Sequence, residues 1–591
     1  MKLSNRILAL LLIVGIALPL SAVEPEKVER YALGKPAIQS TGAFDGNRIN
    51  TDLENNGMIV SHRISGHSGF EWPQGNATYA IYASGLWMAG KVDGEIRTAV
   101  AEYEPEFTAG TWESEGDDPN GEYRLYKVNK VDMNNPAANP DFAAWPVDQG
   151  APWIDEDGDG VYTPMPGGVD HPDFIGDQVM FFVMMDGVGT DHSVFSTDPL
   201  GLEIQTTIWG YNRNDAFGDM MFVKSRIFNK GGNDITDTYL GLWSDPDLGD
   251  ASDDFVGCDT ALSLGITYND GADSYYGTGA PAIGYDFFQA AFPSGDITDT
   301  TWAFDEYRAG YSNQQMSSFV KYINGDDVYT DPNDADEAYN YLSGFLRDGT
   351  PFINSATGLP SKFVHMDDPN DNVDANDDVW VDGDDNPSDD RRFLMNVGPF
   401  DFDAGAEAEV VYGIIMSQGS DALASVTKLK EDDILAQKAY DVRFALPDPP
   451  ASPELEEIVV ASGAIVLEWS DNAEDYYEWD NFTETYYEYE GYNVYQFENA
   501  IGTGVVKKIA SYDLVNDITT IEDIRYVEAY GANVLVPVQK GTDSGLRHTI
   551  AITSDAIGGG IPLVDDRTYY FAVTAYGYGE VTEPHMLESA F

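Results

Sequence analysis

The segment Asp155-Glu156-Asp157-Gly158-Asp159-Gly160-Val161-Tyr162-Thr163 carries the most concentrated metal-ligand chemistry in the chain. Carboxylates at alternate positions, Asp155, Asp157 and Asp159, can turn oxygens toward one centre. Gly160, at the sixth position, permits a sharp turn, and the Val161 carbonyl falls where a calcium loop uses a backbone ligand. Carboxylates this close repel one another unless a cation sits among them. The spacing therefore predicts a calcium site. Position twelve is Pro166, which has no ligating side chain, and no helical pattern flanks the loop as in an EF-hand. The expectation is a calcium loop in a β or coil setting, with Asp170 or Asp173 completing the shell. The alternative is an Asp/Gly turn without an ion.

A second acidic run, Asp245-Pro246-Asp247-Leu248-Gly249-Asp250, continues to Asp253, Asp254 and Asp259. Its spacing fits no standard loop. Asp245, Asp247 and Asp250 are the secondary metal candidates, against a solvated loop. In the run 367–390, Asp374, Asn376 and Asp378 also alternate, but Val379 stands where the turn Gly belongs, so that run reads as mostly solvated loop.

Catalytic signatures are missing: there is no HExxH, GxSxG, CxxC or P-loop,. The seven histidines show no paired metal-ligand spacing. With 101 acidic residues, a carboxylate pair for glycoside hydrolysis has countless candidates and none can be singled out,. Aromatic residues are dense over 476–497, including Trp479, Tyr486, Tyr487, Tyr489, Tyr492 and Tyr495. Such rings stack on sugars when exposed, or fill a sandwich core and form cross-strand pairs when not.

These groups must be positioned by strands. Short β-branched and aromatic runs, broken by Gly, Asn, Asp and Pro, recur at 79–87, 178–185, 203–211, 220–228, 238–243, 261–268 and 409–416,. The one clear helical periodicity covers 422–440. The pattern predicts an all-β protein of tandem β-sandwich domains with long acidic loops. Residues 23–200 read as an N-terminal β region carrying the calcium-type loop. Residues 201–445 read as a sandwich whose strands at 200–268 and 390–420 belong together, with the acidic stretch 270–390 inserted. The Pro-rich segment 446–453 reads as a linker. Residues 454–591 read as a fibronectin type III-like sandwich, with Trp469 in an early strand and a Tyr-rich strand near 568–576.

The ends and the charge point outward. Lys2 and Arg6 precede an apolar run over 7–20, and Ser21-Ala22 offers a cleavage site, so 1–22 reads as a secretory signal peptide,. No later stretch has the length and apolarity of a membrane span. The formal net charge is −69. A field of that sign repels phosphate backbones and anionic lipids, which argues against nucleic acid and membrane surfaces as partners. The single cysteine, Cys258, cannot form an internal disulfide, so an exported chain of this kind has reason to use ions as staples. Cys258 itself reads as a small buried hydrophobe.

Several strings together carry a resemblance: Gly69-Phe70-Glu71-Trp72-Pro73, Ala80-Ile81-Tyr82-Ala83-Ser84-Gly85-Leu86-Trp87, Trp145-Pro146-Val147-Asp148-Gln149-Gly150, Ser244-Asp245-Pro246-Asp247-Leu248-Gly249-Asp250, Arg391-Arg392-Phe393-Leu394-Met395 and Gly491-Tyr492-Asn493-Val494-Tyr495. The chain resembles a family of large exported proteins from Bacteroidetes, Ignavibacteria and neighbouring lineages. The resemblance implies a fibronectin-like region and a C-terminal sorting domain for type IX secretion, and brings no activity or catalytic residues. Members continue past a segment like Pro584-His585-Met586-Leu587-Glu588-Ser589, whereas this chain stops at Phe591. The expectation is a fragment or a different route of export.

The sequence thus predicts a non-enzymatic, calcium-stabilised extracellular or cell-surface protein with a structural, adhesive or interaction role and an extracellular protein or glycan partner. The alternatives are a carbohydrate-binding protein and a secreted polysaccharide or peptide hydrolase.

Overall fold

The computed structural model describes residues 40–371, 379–499, 505–527, 532–582 and 584–591. The signal peptide expected over 1–22 and the run Asp374, Asn376 and Asp378 lie outside them. Among the described residues no helix is long and apolar enough to cross a membrane.

The chain folds into antiparallel β-sandwiches. The larger sandwich has a ten-stranded sheet in the order Phe255–Asp259, Leu264–Tyr268, Ala282–Pro293, Glu407–Ser417, Met220–Asn229, Leu202–Gly210, Gln178–Met185 and Thr108–Ala109. Tyr311–Asn313 and Tyr126–Asn129 add to Ala282–Pro293 and Gln178–Met185. Its partner sheet runs Ser318–Ile323, Arg391–Phe402, Ile235–Asp245, Ala83–Val92 and Met58–Val60, with Glu95–Val100 on Ala83–Val92.

The central strands bury both faces, which explains their near-continuous apolar sequence. In Gln178–Met185 every residue is buried. Met180, Phe182 and Met184 enter the core between the sheets, with Leu240, Leu242 and Leu394. The alternate residues Val179 and Phe181 enter a second core on the opposite face, with Trp209, Phe222, Val426 and Leu429,. The helix Ala422–Asp441 roofs that second core. Asp421 caps it, its carboxylate accepting the Ala424 amide at 3.0 Å,.

Pairing corrects two expected boundaries. Ala83–Val92 pairs with Ile235–Asp245, and Gln178–Met185 with Leu202–Gly210. A division at residue 200 therefore falls inside one sandwich. The strands of 200–268 and 390–420 do share it, but 270–390 is not a simple insertion. It supplies Ala282–Pro293, which sits between Leu264–Tyr268 and Glu407–Ser417, and the edge strand Ser318–Ile323. It also supplies the helix Ala335–Leu342.

Residues 446–453 contain no helix or strand. The C-terminal sandwich sets a three-stranded sheet, Leu455–Ala461, Ala464–Trp469 and Thr549–Ile552, beside a five-stranded one. The latter runs Tyr477–Asp480, Thr485–Phe497, Tyr570–Tyr578 and Met586–Glu588, with Val506–Asp513 on Thr485–Phe497. Trp469, Tyr492, Val494, Val573 and Ala575 share its core. An extra hairpin pairs Thr520–Val527 with Ala532–Lys540.

Candidate metal centre

The loop at 155–170 is closed by a two-residue ladder. Trp153–Ile154 pairs with His171–Pro172, Ile154 opposite His171. That register sets Asp155 and Asp170 facing each other at the loop's neck. Gly158 and Gly160 adopt φ of 72° and 75°, the left-handed region that favours glycine,. The turns bring amides onto the acidic side chains. Asp155 Oδ1 accepts from Gly158 N at 2.8 Å and Asp159 N at 3.2 Å, while Oδ2 accepts from Gly160 N at 2.9 Å. The buried Asp170 accepts from Glu156 N at 3.1 Å and Thr163 N at 2.6 Å.

Asp155, Asp157 and Asp170 each present an oxygen to one point, the three atoms lying within 4.8 Å of one another. This is a hard, all-oxygen donor set of the kind calcium takes. Among the described residues no Lys or Arg pairs with any of the three. The Asp157 carboxyl is pushed above the usual range by desolvation and by the charges of Asp159, Asp170 and Asp155.

Asp159 and Asp173 do not join this converging set. Asp159 turns back to accept the Val161 amide at 2.7 Å, and the Val161 carbonyl accepts the Thr163 hydroxyl at 3.3 Å. Asp173 stands beyond the ladder, beside a cleft of about 310 Å³ with Lys130, Asp177 and Arg443. Desolvation raises its carboxyl, with Lys224 opposing.

The second acidic run yields a different object. Asp245, Asp247 and Asp390 converge within 4.8 Å, and Asp250 does not join them. Asp250 instead caps a short turn, accepting from the Ser252 amide at 3.2 Å and hydroxyl at 2.7 Å. Asp390 is the residue that sequence reasoning missed, because it arrives from a distant segment just before Arg391–Phe402. A guanidinium already serves this cluster. Buried Arg392 reaches Asp245 at 3.2 Å, Asp331 at 2.8 Å and Asp390 at 3.8 Å, and lies over the Tyr103 ring at 5.4 Å. The Tyr103 hydroxyl donates to Asp245 at 2.7 Å.

Cys258 and His365, two groups with nucleophilic or acid–base potential, are enclosed. Burial pushes the Cys258 thiol up, and Sγ donates to the Val364 carbonyl at 3.6 Å. His365 is buried beside Asp382, 3.5 Å away, and burial holds it neutral, pushed down to about 3. Asp382 binds buried Lys321 at 2.5 Å and Arg391 at 2.9 Å.

The aromatic run divides by face. Tyr487, Tyr489 and Tyr492 are buried, while Tyr477, Trp479 and Tyr486 are exposed on the hairpin Tyr477–Asp480/Thr485–Phe497. The Tyr477 and Tyr486 rings stack at 4.3 Å and 23°, and Trp479 meets Tyr486 edge-on at 4.7 Å and 68°. They form a ridge rather than a flat platform. A scan against protein-family models finds no match for the chain, and a search of curated proteins finds no relative.

Proposed function

We propose that this is an exported, non-enzymatic protein of the extracellular space or cell surface, stabilised by calcium and serving a structural, adhesive or interaction role. The observation that carries the reading is the convergence of Asp155, Asp157 and Asp170 on one point, with no cationic side chain among the described residues to neutralise them. A calcium ion there would tie the two ends of the loop together without a disulfide. The sheet orders of the C-terminal sandwich support the fibronectin type III-like reading, since its first two strands join a late one in one sheet and five others form the second, with two further strand pairs added outside them,. The exposed ridge of Tyr477, Trp479 and Tyr486 favours an extracellular protein or glycan as partner,.

Thermal melting of the full chain with calcium and with chelator tests the metal. At a free calcium concentration of about 100 times Kd, binding to the folded state adds about 2.7 kcal/mol. A melting temperature indifferent to both additions would remove the proposal. A glycan array probed with the wild type and Trp479→Ala tests the partner. Binding lost in the variant supports the ridge, and silence of the wild type leaves a protein partner as the reading.

A further inference from the structure

Asp286 lies on Ala282–Pro293, between Leu264–Tyr268 and Glu407–Ser417 in the ten-stranded sheet. Asp433 lies on the helix Ala422–Asp441 that covers this sheet. The helix approaches closely here. A Cβ at Gly284, two residues before Asp286 and on the same strand face, would stand 2.8 Å from Leu429 Cδ1, one helical turn before Asp433,.

Both carboxyls are buried, Asp286 at 0% and Asp433 at 1% exposure. The two carboxyls act on each other electrostatically across the contact between helix and sheet. No hydroxyl, side-chain amide or cation reaches either oxygen of Asp286 or Oδ1 of Asp433. The charged groups around them are engaged with other partners. On the helix, Asp432 accepts the Ser417 hydroxyl at 2.6 Å and pairs with Lys428, and Lys430 pairs with Asp368 at 2.7 Å. From Phe255–Asp259, Asp259 meets Lys430 at 3.1 Å, and the Cys258 thiol is raised by burial. From the flanking strands, Tyr268 and Tyr412 are likewise raised by burial. The Tyr440 hydroxyl donates to Gln289 at 2.7 Å.

Two ionised carboxylates cannot occupy such a place without a neutralising charge. We infer that Asp286 and Asp433 share one proton and form an acid-dependent latch between the helix and the sheet. The Asp286 hydroxyl donates to the Asp433 carboxylate, and the pair carries one negative charge. Burial and the neighbouring carboxylate push Asp286 well up, and burial pushes Asp433 up to about 7. The folded pair therefore holds a proton that the unfolded chain releases in the ordinary carboxylate range. Its contribution is fully present at acidic pH and is lost as pH rises toward the raised value.

The test is thermal melting of the full chain from pH 5 to 9, with and without chelator, comparing wild type with Asp286→Asn, Asp433→Asn and Asp432→Asn. An asparagine at either member of the pair replaces the shared O–H by N–H and keeps the single charge. Wild type and Asp432→Asn are expected to lose roughly 2–4 °C per pH unit relative to the two pair variants. Parallel profiles for all four proteins would overturn the latch. The infrared difference between wild type and whichever pair variant folds should show a protonated, buried carboxyl at pH 7. Its absence would also overturn the latch, and chelator-sensitive melting that follows Asp433 would assign the pair to a metal ion instead.

Discussion

The two carboxylate clusters have the same donors and opposite solutions to their charge. At Asp245, Asp247 and Asp390 the protein supplies its own cation, Arg392, buried and held by Asp331 and the Tyr103 ring. At Asp155, Asp157 and Asp170 it supplies backbone amides and two left-handed glycines, and no guanidinium or ammonium among the described residues. Acidic density alone therefore does not identify a metal centre. What identifies it is whether the fold has already spent a cation on the carboxylates. The contrast favours 155–170 as the proposed metal centre, with the cluster around Arg392 serving as internal framework.

The largest expected effect comes from breaking the framework. Arg392→Met leaves Asp245, Asp331 and Asp390 without their shared counter-ion, and buried pairs broken from one side cost about 3–5 kcal/mol. The midpoint of urea unfolding should fall accordingly, and calcium should not restore it. A full rescue by calcium would erase the distinction between the clusters.

Chelation comes next. Removing calcium should cost about 2.7 kcal/mol relative to a solution at 100 times Kd. Asp157→Asn should abolish that difference, while Asp247→Asn should keep it. Differential scanning calorimetry in calcium and in chelator reads both.

A third effect is one of pH. The Asp157 carboxyl is raised, so without metal it keeps its proton to higher pH than an ordinary carboxyl does. Calcium binding must displace that proton. Affinity should therefore rise with pH through the upper carboxylate range, with proton release detectable by titration in buffers of different ionisation enthalpy. The framework cluster should show no calcium-linked proton release.

The smallest expected effect is the most discriminating. Asp173→Asn and Asp250→Asn should leave calcium affinity within about twofold, equivalent to roughly 0.4 kcal/mol, because neither side chain joins a converging set. A larger loss in Asp173→Asn would reopen the shell.

These placements also show what the sequence could carry. The strand Gln178–Met185 and the helix Ala422–Asp441 are local patterns, and their bounds were legible to within a residue. The short helix Ala335–Leu342 was not, because it offers only two turns after its cap, Asp334. Which strands share a sheet was not legible either. Ala83–Val92 meets Ile235–Asp245 across a long intervening chain, and nothing in either segment names its partner. The calcium-type loop follows the same division. Alternate carboxylates and Gly160 are local signals. The choice of Asp170 over Asp173 depends on the ladder register, and Asp390 is invisible without tertiary pairing.

The central claim is tested most directly by isothermal titration of calcium into chelator-stripped protein, wild type beside Asp155→Asn. The account predicts one calcium-dependent site in the wild type and none in the variant. A titration unchanged by the substitution, or no binding in the wild type, would contradict it.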